Sequence, residues 1–114
     1  MNFTQTNISN IPIEQAHGGS GARQLLVKPE QFPGNNFEAI TKGFLEAGKC
    51  YDWHIHGGVN EMFIVLKGIG KFSTESESVA YKVGDVITIP AGLKHRIDAE
   101  GIETSEYFFF RFKA

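Results

Sequence analysis

The sequence predicts an all-β domain in which antiparallel strands form a sandwich or barrel. Short runs of β-branched and aromatic residues recur at the spacing of all-β domains. Turn-forming groups separate them, among them Pro33-Gly34-Asn35-Asn36, Gly57-Gly58, Gly68, Gly84-Asp85 and Pro90-Ala91-Gly92. No stretch of helical length carries a 3.6-residue apolar period.

The elements follow in order. Residues 1–22 read as an N-terminal arm, in which 13–16 have room for one helical turn at most. Residues 24–27 and 37–45 are strands on either side of the proline-glycine turn at 33–36. Residues 51–56 and 61–67 flank a Gly-Gly turn, and 61–67 holds the apolar run Met62 to Leu66. Strands at 71–74 and 79–83 enclose a Ser/Glu-rich hairpin tip. Strands at 86–89, 94–98 and 105–113 complete the set, the last carrying Tyr107-Phe108-Phe109-Phe110.

Composition bounds the function. A chain of 114 residues, 41% hydrophobic and 21% charged, reads as one domain over 1–114 with a core that needs no staples. That excludes a disordered tail, a collagenous repeat and a disulfide scaffold. Eleven basic against thirteen acidic residues leave a net charge of −2, without the basic excess of a nucleic-acid binder. No apolar run approaches a membrane span, and the first ten residues lack the pattern of an export signal. The N-x-S/T triplets at Asn2 and Asn7 are therefore read as chance. A single cysteine, Cys50, fits a reducing compartment, and the expected location is the cytoplasm.

Histidine placement carries the chemistry. His54 and His56 stand two apart, so on a strand both face one side. A short loop then returns the chain, and Glu61 opens the next strand beside them. His95 follows the tight turn 90–92. Three imidazoles and a carboxylate suit a divalent first-row metal with open positions, although spacing does not itself bring His95 to the other three. An isolated H-x-H is more often a surface pair; it gains weight from Glu61 and from the P-x-G-x2-H segment.

These residues stand in a recognisable frame. Gly48 to Gly68, through His54, His56 and Glu61, resembles the first motif of the cupins, G-x5-H-x-H-x4-E-x6-G, at every fixed position. Gly84 to His95 resembles the second, G-x5-P-x-G-x2-H. The Asn that commonly follows four residues later is Ala99 here; it is not a metal ligand in the family, so its absence touches the subfamily rather than the metal. The two motifs, 48–68 and 84–95, are separated as in small single-domain cupins of the type-2 conserved-barrel kind. The resemblance implies a double-sheet jelly-roll β-barrel with antiparallel strands. It also implies one divalent transition metal per subunit (Fe, Mn, Ni or Zn) on His54, His56, Glu61 and His95.

Fold and ligand set together leave the reaction open. The expected function is metal-dependent action on a small organic molecule as a dioxygenase, isomerase or lyase. The alternative is a non-catalytic module binding a sugar or small acid. Strand parity makes Asp52 a carboxylate that could orient a ligand imidazole, an exposed strand-end position being the commoner outcome. It nominates Phe63 as a pocket ring beside Glu61. Cys50 lies too far along the strand to join the metal and is read as a buried inert thiol. His17, within His17-Gly18-Gly19-Ser20-Gly21, is read as a solvent-facing loop residue or part of a lid. Met62, Ile64 and Leu66 would face outward if Glu61 faces in, and an apolar outer face marks a homodimer. Covering by the first thirty residues is the rival explanation.

Overall fold

The strand at 59–67 shows how this sequence builds its sheets. In β5 (Val59–Lys67), Glu61, Phe63 and Val65 are buried while Met62, Ile64 and Leu66 are only partly covered. That is the period-2 alternation of a strand with one face on a core. The same alternation buries Thr41, Gly43 and Leu45 in β3 (Phe37–Leu45), and Ser105 and Tyr107 in β10 (Ser105–Lys113). Register then joins the inward faces: Phe109 lies opposite Phe63 on one side and Thr41 on the other.

In the computed structural model, which describes residues 3–16, 21–32 and 34–114, the strands form two antiparallel sheets. The larger runs in the order β1 (Glu14–Gln15), β2 (Ala22–Val27), β3, β10, β5 and β8 (Val86–Ile89). The smaller runs β4 (Cys50–His54), β9 (His95–Glu100), β6 (Ile69–Thr74) and β7 (Ser78–Tyr81). Leu45, Phe63, Val65 and Tyr107 of the first sheet and Tyr51, Phe72, Tyr81 and Ile97 of the second belong to one core. The all-β, double-sheet antiparallel architecture is as the sequence predicts, with one difference. Among the described residues no strand pairing links the two sheets, so they face one another without closing into a hydrogen-bonded barrel.

Aromatic rings fill the space between the sheets. Phe63 stands 5.5 Å, centroid to centroid, from both Tyr107 and Phe109 and 6.0 Å from Phe72. The polar ends of the buried tyrosines find partners: the Tyr81 hydroxyl lies 2.6 Å from that of Tyr107 and 2.8 Å from Ser105 Oγ. Tyr51 Oη donates to the Phe44 carbonyl at 3.2 Å. Burial pushes all three phenols above their ordinary range, so they stay protonated hydrogen-bonding groups. Gly68, the last glycine of the first motif, turns β5 into β6 at φ +89°, and a Cβ there would come within 2.5 Å of Ser105 Oγ. At the Ala99 departure the small side chain is buried, while the backbone bonds to the start of the first motif: Gly48 N–H donates to Ala99 O and Ala99 N–H to Lys49 O.

Several expectations shift. The strands at 37–45, 86–89 and 105–113 match, but residues 13–16 hold no helical turn; Glu14 and Gln15 pair with Arg23 and Ala22 as β1. The strand expected over 51–56 ends at His54, and the one expected from Glu61 begins at Val59. The arm carries a 3-10 turn at Ile8–Asn10, tied to β2 by Gln24, whose buried amide donates to the carbonyls of Ile8 and Ile11 at 3.0 and 2.8 Å. His17 lies outside the described residues.

Candidate metal centre

Strand β4 breaks its own alternation. Tyr51 pairs with Ile97 and His54 with His95, so Asp52 and Trp53 together stand opposite Arg96 alone. This extra residue is a β-bulge, a device that re-aims side chains. Tyr51 and His54, three apart, therefore both reach the interior, and the simple parity argument for Asp52 and Cys50 fails. The Asp52 carboxylate points away from the histidines and accepts from Arg96 Nη1 at 2.9 Å and from Trp53 N at 2.8 Å. Asp52 still orients an imidazole, but through its carbonyl oxygen, which lies 2.6 Å from His54 Nδ1. Cys50 is half-buried, opposite Asp98, rather than sealed in the core.

His56 lies in the loop after β4, and backbone contacts set its place. Its carbonyl accepts from Gly92 N–H at 3.0 Å, and Ala91 N–H donates to Asn60 Oδ1 at 2.9 Å. The turn 90–92 is thereby fastened to the loop 55–58 and to the start of β5. Gly92 sits at φ +85°, a conformation other residues rarely adopt. His95 begins β9 just beyond, fully buried, its ring stacked on Phe72 and its Nδ1 2.8 Å from the Leu93 carbonyl.

Two distant stretches thus bring three rings together. Centroids are 4.1 Å apart for His54 and His95, 4.8 Å for His54 and His56, and 5.5 Å for His56 and His95. One ring nitrogen from each lies within 4.8 Å of the others. Neighbouring ligand atoms on one zinc-sized ion, at about 2.1 Å each, stand about 3.0–3.4 Å apart, so the widest pair must close by about 1.5 Å to hold a metal. The donor chemistry fits too. A carbonyl oxygen only accepts, so His54 and His95 each carry hydrogen on Nδ1 when neutral, leaving Nε2 with a lone pair for an ion.

Glu61 stands beside this group rather than within it. Its Oε1 lies 3.8 Å from His56 Nε2, while its Oε2 accepts from Arg111 Nη1 at 3.1 Å. Burial pushes its carboxyl above the ordinary carboxylate range, and Arg111 pulls the other way. A cavity of about 50 Å³ reaches His54 and Glu61, with Arg23, Thr41, Tyr51 and Phe109 among its other walls. That is room for a few waters or a very small ligand. Phe63, nominated from parity, is fully buried in the core, and its neighbour Phe109 lines the cavity instead.

The sequence model for the cupin domain matches residues 42–110, more than half of the chain. The chain belongs to the cupin family. No curated protein matches it in sequence. Among solved structures, a predicted oxalate decarboxylase of Thermotoga maritima is 22% identical to this cupin, with a TM-score of 0.87, over 97% of this chain and 100% of that one. The cupin domain of Cnp3 from Schizosaccharomyces pombe is 17% identical, with a TM-score of 0.80, over 96% and 74% of the two chains. The polyketide cyclase RemF of Streptomyces resistomycificus is 15% identical, with a TM-score of 0.77, over 98% and 80%. Identities this low speak for the fold alone.

Sequence reasoning missed Arg111 in this cupin. The signal was a single charge set in an aromatic run, Phe108-Phe109-Phe110-Arg111-Phe112, on the inward parity of Tyr107 and Phe109. Its partner Glu61 lies fifty positions earlier and is reached only through the pairing of β10 with β5.

Proposed function

We propose that this cupin holds one divalent transition metal per subunit (Fe, Mn, Ni or Zn) on His54, His56, Glu61 and His95, and there acts on a small organic molecule as a dioxygenase, isomerase or lyase. The observation that carries the reading is the convergence of three imidazoles from the first and second motifs, with ligand atoms within 4.8 Å. A metal so bound supplies Lewis-acid polarisation of a ligand oxygen or activation of bound water. The chain supplies the setting. The carbonyls of Asp52 and Leu93 hold two rings in one tautomer, and Glu61 brings the negative charge that offsets part of the ion's. Tyr51, Ile97 and Phe109 wall the cavity and limit water, and low polarity strengthens every charge interaction inside it.

One observation favours the second reading, a binding module without turnover. Among the described residues that line the cavity, the side chains carrying an imidazole or a carboxylate are His54 and Glu61, both assigned to the metal. Tyr51 stays protonated and can donate, not act as a base. One experiment separates the readings: metal analysis of the purified protein, then screening of iron-, manganese-, nickel- and zinc-loaded forms for turnover. One metal per subunit is expected, lost in His56→Ala, with turnover lost in Glu61→Ala while the fold persists. Full metal content in His56→Ala overturns the site. Loaded forms that bind a ligand tightly yet stay inert across broad panels replace the enzyme with the binding module.

We further propose a cytoplasmic homodimer formed on the outer face of the larger sheet. There Phe110 lies between Ile40 and Met62, and Phe108 and Val86 flank Ile64. These side chains are half-buried or exposed, whereas a sheet face in water is ordinarily polar. The arm is fastened to β2, with β3 standing between it and β10. Light scattering at micromolar concentration is expected to return twice the chain mass, and Ile64→Lys to return one; a monomeric wild type overturns the dimer.

A further inference from the structure

We propose that Arg111 is a positioning residue for Glu61, holding one oxygen of that carboxylate so that the other alone is presented to the histidines. The inference rests on the metal-site reading above. Arg111 and Glu61 are register partners on β10 and β5, both facing inward. Nη1 of Arg111 donates to Glu61 Oε2 at 3.1 Å, while Oε1 faces His56 Nε2 at 3.8 Å. The two oxygens of one carboxylate are thus given different tasks.

Arg111 is itself anchored. Its Nε donates to Glu38 Oε1 at 2.9 Å. Glu38 occupies an irregularity of its own: Arg111 pairs with Ala39 and Phe112 with Phe37, so Glu38 is the extra residue between them. A bulge at that point frees a side chain from strand alternation, and here the freed carboxylate grips Arg111. Side-chain exposure falls along the series, 31% at Glu38, 20% at Arg111 and 6% at Glu61. A planar guanidinium gripped at Nε and donating from Nη1 has little freedom to rotate, and both bonds are charge-assisted. Lysine, a point charge on a flexible stem, reproduces the charge without the fork.

The test is calorimetric titration of Mn(II) and Zn(II) into metal-free protein, with the Mn(II) electron paramagnetic resonance spectrum as a second readout. Partners that orient metal ligands carry about 10–100-fold in affinity, and Arg111→Met is expected to lose that much. Arg111→Lys is expected to recover part of it, and Glu38→Gln to cost several-fold. In a Glu61→Ala background Arg111→Met is expected to have no further effect, because its whole influence passes through Glu61. The resonance spectrum is expected to change in Arg111→Met and to match wild type in Arg111→Lys more closely.

A merely structural arginine would lower the melting temperature of the metal-free protein and leave the affinity of the folded protein unchanged, which overturns the proposal. An equal loss with and without Glu61 overturns it as well. The His56→Ala control separates the two readings. If His56→Ala keeps its metal, the metal site itself is wrong; if it loses the metal while Arg111→Met binds as wild type does, only the role of Arg111 is wrong.

Discussion

Phe63→Ala is expected to remove about 3–5 kcal/mol of folding stability, the usual range for deleting a fully buried ring. Phe63 has no exposed surface and touches rings from both sheets: Phe72 on the smaller, Tyr107 and Phe109 on the larger. Those neighbours hang from separately paired strands, so they cannot close over the gap without moving one sheet against the other. The whole stability of a domain this size is about 5–15 kcal/mol, so one substitution takes a large share. A fall of roughly 12–25 °C in melting temperature follows, measurable by circular dichroism. A loss under about 1 kcal/mol would show that the two sheets can collapse onto the space, contrary to the usual behaviour of a close-packed core.

Metal loading is expected to work in the opposite direction. An ion that binds the folded chain alone adds about 2.7 kcal/mol at a hundredfold excess over its dissociation constant, and about 4.1 at a thousandfold. For this chain length that raises the melting temperature by roughly 10–20 °C, reversed by a chelator. His95→Ala is expected to abolish the increment. Because His95 is fully buried against Phe72, its removal also leaves a hole and lowers the metal-free melting temperature. The measurement that counts is therefore the difference between loaded and metal-free forms of each variant. An increment that survives in His95→Ala would remove that residue from the ligand set.

Much of this molecule was readable in advance because its strands obey simple alternation. From Glu61 to Val65 every second residue is buried, so the face was assignable from polarity alone. The histidines were findable because their frame is dense with turn-forming glycines at fixed spacing. Reading failed wherever a strand breaks step. The bulge at Asp52–Trp53 turned the Asp52 carboxylate outward and handed its orienting task to a carbonyl, a group every residue has and no sequence pattern marks. β1 is two residues long and owes its pairing to Arg23 and Ala22, too little to leave a periodicity. Arg111 announces itself only as a charge among rings; what it holds depends on which strand lies next to it.

The larger sheet is joined through the last of the described strands. β10 lies between β3 and β5 and is hydrogen-bonded to both, yet it follows every other strand in order. A growing polypeptide on the ribosome can form the β5–β8 and β2–β3 pairs early, but they stay separate pieces with two raw edges until residues 105–113 emerge. Nascent chains in that interval carry the aggregation hazard of unpaired strands. The same strand delivers Arg111 to Glu61, so the carboxylate gains its partner only when the two halves of the larger sheet are joined.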